Sequence, residues 1–135
     1  MKRVVLDTSA VMTFFEDRPG AQKVEELIHL AIDGKRELLM SVVNWGEVYY
    51  SVWRAKGPGV AQKALADIAQ LPIELVDADY NLTKRAAEFR ARHKLPYADC
   101  FAAALAANTK APLLTSDHDF AHVEKQVTIL WASVP

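Results

Sequence analysis

Short apolar runs alternate with longer segments of helical periodicity from one end of this chain to the other, and that alternation limits the folds open to it. Strands are predicted at Val4–Leu6, Leu38–Ser41, Ile73–Val76, Leu113–Thr115 and Thr128–Trp131. Between them the spacing predicts helices over Ala10–Glu16, Ala21–Asp33, Asn44–Ala55, Val60–Gln70, Tyr80–His93 and Tyr97–Asn108, with a short helix after Asp117. Gly34, Gly57-Pro58-Gly59 and Pro72 punctuate the pattern, and no linker, repeat or low-complexity tract divides it. Strands separated by helices imply an α/β protein, a sandwich around a mainly parallel sheet of about five strands. A length of 135 residues suits a single domain over 1–135.

The composition is that of a soluble globular protein, 51% hydrophobic and 24% charged, with a core large enough to need neither disulfides nor a structural metal. The one cysteine, Cys100, has no internal partner and sits in an apolar run, as a buried thiol does. Charge appears too early in Met1-Lys2-Arg3-Val4-Val5-Leu6-Asp7 for a signal peptide, and no apolar stretch is long enough to span a bilayer, so a cytoplasmic protein with no membrane partner is expected. A net charge of −1 gives no bulk signature of nucleic-acid binding, though it leaves room for a local basic rim.

Four acids stand where surface charges ordinarily do not. Asp7 ends the run Val4-Val5-Leu6, Glu47 interrupts an aromatic-rich helical stretch, Asp99 precedes the nearly uncharged run Cys100 to Ala107, and Asp117 follows Pro112-Leu113-Leu114-Thr115-Ser116. Ligand sites of open α/β sheets lie beyond the carboxyl ends of the strands, near the point where strand order reverses. Asp7 and Asp117 each follow a predicted strand, so neighbouring strands would open both into one crevice, with Glu47 and Asp99 contributed by bordering helices. Packed carboxylates repel and resist ionising together, so such a cluster calls for a counterion. Hard oxygen ligands select a hard cation, Mg²⁺ or Mn²⁺.

Each acid also has a plainer reading. Asp7 or Thr8 can cap the next helix, and Ser9 is equally ambiguous. Asp99 suits the first turn of a helix by its charge alone, while the small Ala102, Ala103 and Ala106 on its face allow close approach to the sheet. A salt bridge from Glu47 to Arg54 or Lys56 has poor spacing. Asp117 and Asp119, flanking His118, can belong to a polar loop with a cap; His118 lacks a second histidine at a useful spacing for metal ligation.

The helix carrying Glu47 has two lines: Trp45, Val48, Tyr49, Val52 and Trp53 form an apolar stripe, and Val43, Glu47, Tyr50 and Arg54 a second that can border a cleft. Phe14, Phe15, Tyr49, Tyr50 and Trp53 are many large rings for the early helices of a small domain; about half suit the core and the rest a partner surface. Lys84 to Lys94 is the most basic stretch. It reads either as a solvated helix face whose cations favour the dipole or as a rim for a polyanion through Arg85, Arg92 and Lys94. Leu82, Ala86, Phe89 and His93 form the buried line of that helix.

Taken in order, Leu6-Asp7-Thr8-Ser9, Ser41-Val42-Val43-Asn44-Trp45-Gly46-Glu47, Leu95-Pro96-Tyr97-Ala98-Asp99 and Leu114-Thr115-Ser116-Asp117-His118-Asp119-Phe120 resemble a PIN domain, most similar to the VapC toxins of prokaryotic toxin–antitoxin pairs. The resemblance covers essentially the whole chain. It implies a three-layer α/β/α sandwich and a metal-dependent endoribonuclease. Asp7, Glu47, Asp99 and Asp117 match the acidic quartet that binds Mg²⁺ or Mn²⁺, with Ser9, Thr115 and Asp119 in support. It implies an RNA substrate, a homodimer and a VapB-type antitoxin that covers the acidic site. Other readings remain: a PIN-domain nuclease for RNA processing or DNA cleavage without a toxin role, a phosphoryl-transfer domain with Asp7 as nucleophile, and a non-enzymatic scaffold. The phosphoryl-transfer reading is weakened by Ser9, where dehalogenase-like phosphatases place a second Asp.

Overall fold

The computed structural model describes residues 2–133. Five strands, β1 (Lys2–Leu6), β2 (Arg36–Ser41), β3 (Ile73–Val76), β4 (Leu113–Thr115) and β5 (Ile129–Trp131), form one sheet in the order β3-β2-β1-β4-β5. All four pairings are parallel. From β1 the chain winds outward through β2 to β3, then returns to the other side of β1 for β4 and β5. Strand order therefore reverses between β1 and β4, where Val5 and Leu6 pair with Leu113 and Leu114.

Helices cover both faces. On one lie α1 (Thr8–Phe15), α2 (Ala21–Ile32), α3 (Val42–Lys56) and α4 (Pro58–Ala69). Val4, Leu6, Leu38, Met40 and Leu114 point from the sheet into a core with Val24, Ile28, Val48 and Ile68. On the other lie α5 (Tyr80–Arg92) and α6 (Tyr97–Thr109), with a 3-10 turn over His118–Val123. There Val5, Leu39 and Leu113 meet Leu82, Phe89, Phe101, Leu105 and Phe120. The alternation Val4/Val5/Leu6 thus feeds two cores from one central strand, as a sheet buried on both faces requires. This is the α/β sandwich with a parallel sheet expected from the alternation, in the three layers that the resemblance implies.

Element ends differ from the prediction by a few residues, for local reasons. β1 and β2 begin earlier because the ladder extends through charged residues, Lys2 opposite Arg36 and Arg3 opposite Glu37, whose side chains give no apolar signal. The Arg3 guanidinium donates to Glu37 across that pair at 3.4 Å. Helix α4 starts at Pro58, a residue suited to the first helical position because its missing N–H is not needed there. Cys100 is fully buried, with its Sγ 3.5 Å from the Leu95 carbonyl that accepts from it, and burial pushes the thiol up to about 11.

Candidate active site

The site grows from the end of β1. Asp7 is the N-cap of α1: its backbone is extended and its Oδ1 accepts the Ala10 N–H at 2.9 Å. It also lies against the neighbouring strand, where the Thr115 hydroxyl at the end of β4 donates to Oδ2 at 2.7 Å. The Ser9 hydroxyl, 2.9 Å from both oxygens, completes the set. Capping and membership of an acidic site are therefore compatible at this residue. Two backbone amides hold the hydroxyls in place: Ser116 N–H donates to Ser9 Oγ at 2.9 Å and Asp117 N–H to Thr115 Oγ1 at 3.0 Å. A carboxylate offers about four lone-pair positions. Three hydrogens, from Ala10, Ser9 and Thr115, leave Asp7 room for one more electrophile.

Asp7 is 1% exposed. Burial raises its carboxyl to about 6 against the lowering effect of all three hydrogen bonds, and the charge of Asp117 adds a smaller push. Asp99, in the first turn of α6, is 7% exposed. Burial, followed by the charges of Asp117, Asp7, Glu47 and Asp119, drives it up to about 8. These mutual effects place five carboxylates in one electrostatic neighbourhood at the carboxyl ends of β1 and β4. Asp117 is half-buried after β4, where its Oδ1 accepts the Asp119 N–H at 2.9 Å and caps the 3-10 turn. Asp119 itself is exposed.

Glu47 is half-buried on α3, and its partner is not Arg54, which lies 5.0 Å over the Tyr50 ring. The Thr8 hydroxyl donates to Glu47 Oε1 at 2.6 Å and also approaches the Asn44 carbonyl oxygen at 3.2 Å. Asn44, fully buried, donates from Nδ2 to the Ala98 carbonyl at 3.1 Å. Sequence reasoning missed Thr8 and Asn44 as parts of the site. The signal available was position: Thr8 adjoins Asp7, and Asn44 lies three residues before Glu47, one helical turn away.

The donor set suits a hard cation. It is all oxygen, and none of the ion pairs among the described residues includes any of the four acids. Among the described residues, however, no three His, Cys, Asp or Glu side chains are gathered closely enough to hold a metal ion between them. Sharing one ion thus requires the acids to draw closer than they stand here.

Arg85, Arg92 and Lys94 are exposed on and just after α5, with Arg85 stacked 5.5 Å over Phe89. His93 is half-buried beside Phe89, and His118 stacks on Trp131 at 5.0 Å. Of the early-helix rings, Phe14, Phe15 and Tyr49 pack against the core, while Tyr50 and Trp53 are 47% and 46% exposed. Met12 and Phe15 of α1, Val52 and Ala55 of α3, and Val60 and Ala64 of α4 line a groove of about 490 Å³. No helix among the described residues is long and apolar enough to cross a membrane.

The chain has relatives among known proteins. The chain matches the PIN domain family over residues 4–126. The VapC ribonuclease Mb0640 of Mycobacterium bovis is 28% identical over 128 residues, spanning 90% of this chain and 95% of that protein. Ribonuclease VapC30 of Mycobacterium tuberculosis is likewise 28% identical, with the same 90% and 95% coverage. Among solved structures, VapBC2 of Rickettsia felis bound to promoter DNA has a TM-score of 0.76 at 19% identity, over 96% of this chain and 98% of that one. VapC20 of Mycobacterium tuberculosis, a toxin that cleaves the sarcin–ricin loop, has a TM-score of 0.69 at 15% identity, over 93% and 96%. The structural likenesses concern the fold.

Proposed function

Because this chain belongs to the PIN domain family, we propose that it is a metal-dependent endoribonuclease, the toxin of a VapBC-type pair, which hydrolyses RNA phosphodiester bonds. The observation that carries this reading is the acidic neighbourhood: Asp7 and Asp99 are buried and raised partly by neighbouring acids, and none of the four acids is ion-paired among the described residues. Asp7, Glu47, Asp99 and Asp117 are the residues that would hold Mg²⁺ or Mn²⁺. The chemistry such a cation supplies is Lewis acidity, which screens the substrate phosphate from the carboxylates and makes water a stronger nucleophile.

The chain's own residues do the positioning. Thr115, Ser9 and the Ala10 amide fix Asp7 in one orientation, and Thr8 fixes Glu47. Asp99, raised to about 8, retains its proton near neutral pH until an opposing positive charge arrives. Asp119 adds negative charge at the rim. Arg85, Arg92 and Lys94 are proposed to hold RNA phosphates beside the acids, supplying the positive surface that a net charge of −1 does not. The groove between α1, α3 and α4 is proposed as the seat of an amphipathic helix from a VapB-type antitoxin: its walls are apolar, and Arg18, Lys56 and Asp67 provide a charged rim. Exposed Tyr50 and Trp53 are proposed to serve protein contacts, including a homodimer.

Mapping cleavage ends on total cellular RNA, with Mg²⁺, Mn²⁺ or a chelator and with Asp7→Asn as control, tests the activity. Cleavage that needs the metal and disappears in Asp7→Asn is expected. No cleavage with either ion, or undiminished cleavage by the variant, refutes it. Co-purification of a small neighbouring-gene protein that silences the activity supports the toxin role. An active nuclease with no such inhibitor is instead an RNA-processing member of the family.

A further inference from the structure

Among the described residues, Asn44 is the most anomalous polar side chain. It lies in the first turn of α3, fully buried, and makes one side-chain hydrogen bond, from Nδ2 to the Ala98 carbonyl. Its Oδ1 is the buried side-chain oxygen left with no partner among the described residues. A buried acceptor without a donor is costly, and native structures keep few of them. A leucine would fill similar space without that cost.

What the side chain does is join two elements. Ala98 immediately precedes Asp99, at the start of α6, and that helix has no side-chain cap of its own. The bond from Asn44 is thus the side-chain tie between α3 and the turn that carries Asp99. The backbone of Asn44 extends the tie in the other direction. Its carbonyl lies 3.2 Å from the Thr8 hydroxyl, which donates to Glu47 at 2.6 Å and directly follows Asp7. One residue therefore touches, at a single remove, the segments bearing three of the four acids.

We propose that Asn44 is a positioning residue that sets Asp99 relative to Glu47 and Asp7 through its bond to Ala98 and its contact with Thr8. This inference rests on the metal-dependent nuclease reading. Its signature is a loss of metal affinity and turnover without loss of stability. Residues that orient ligands without touching the ion commonly change affinity or activity by about 10- to 100-fold when replaced.

The test uses the full chain and Asn44→Leu, which removes both the tie and the unpartnered oxygen, with Thr8→Val and the conservative Thr8→Ser beside it. Mn²⁺ affinity is measured by calorimetry without RNA, kcat and KM on a cleavable RNA, folding by thermal melting, and the Ala98 and Asp99 amides by NMR in chelator. Asn44→Leu is expected to melt no lower than wild type, to move the Ala98 and Asp99 amide signals, and to lose about tenfold or more in Mn²⁺ affinity and kcat with little change in KM. Thr8→Val should lose both as well, and Thr8→Ser should restore them. In an Asp99→Asn background, Asn44→Leu should have no further effect on Mn²⁺ affinity. Wild-type affinity and kcat in Asn44→Leu overturn the positioning role alone. A loss matched by a fall in melting temperature, or one that persists in Asp99→Asn, makes Asn44 merely structural and also overturns it. A wild-type chain that neither binds Mn²⁺ nor cleaves RNA overturns the nuclease reading and this inference together.

Discussion

At the scale of single residues, the acidic neighbourhood trades stability for charge. Asp7 and Asp99 have folded pKa values of about 6 and about 8, above the ordinary 3.8, so the folded chain holds more protons than the unfolded one between pH 4 and 8. Stability then falls as pH rises through that window. In chelator, the melting temperature should be higher at pH 5 than at pH 8, and Asp99→Asn should flatten the profile by raising stability at the alkaline end. A melt that improves with pH contradicts the raised values. Because a cation competes with those protons, Mg²⁺ affinity should rise across the same window. Thr115 works the opposite way: its hydroxyl donates to buried Asp7 and accepts from the Asp117 amide. Thr115→Val keeps the shape and loses both bonds. It should cost about 1.5–3 kcal/mol in chemical denaturation at pH 8, where Asp7 is ionised, and less at pH 5.

At the scale of elements, helix α5 and the turn before α2 are separable tests. Reversing Arg85, Arg92 and Lys94 together to Glu replaces no residue of the buried line of α5, since all three are exposed, and removes only the Arg85 stack on Phe89. If they hold RNA phosphates, KM should rise by about tenfold with kcat little changed, and the salt dependence of binding should flatten. Equal kinetics would leave these cations as a solvated face. Gly20 has φ +100, and a Cβ there would lie 2.6 Å from the Ala132 carbonyl oxygen. Gly20→Ala should therefore destabilise by at least about 1 kcal/mol in a denaturant titration, with no specific effect on metal affinity. Elements were the most legible level of the sequence, because burial on two faces writes strands as apolar runs and one-sided burial writes helices as stripes. Strand starts at Lys2 and Arg36 were not legible, since backbone pairing alone extends the ladder there. Asp7 and Asp117 could be placed because each follows a strand. Thr8 and Asn44 were marked only by their positions beside Asp7 and Glu47, because their partners are 39 and 54 residues away and no periodicity records such a bond.

At the scale of the whole molecule, β1 is the axis on which both halves close. It pairs with β2 on one side and with β4 on the other, and the bond from Thr115 to Asp7 spans 108 residues. Consider this arrangement from the point of view of a ribosome making the chain. Asp7 emerges 108 residues before Thr115, the end of β4 whose hydroxyl orients it. At ordinary translation speeds the interval is roughly 5–20 s. Throughout it, the growing polypeptide carries its first acid without the strand that completes the surroundings of that acid. Prematurely terminated products ending before Leu113 would carry Asp7, Glu47 and Asp99 and still lack the strand whose hydroxyl orients Asp7. A ribosome is itself made of RNA, and if the chain cuts RNA as proposed, this order of synthesis withholds the finished blade until β4 has been made.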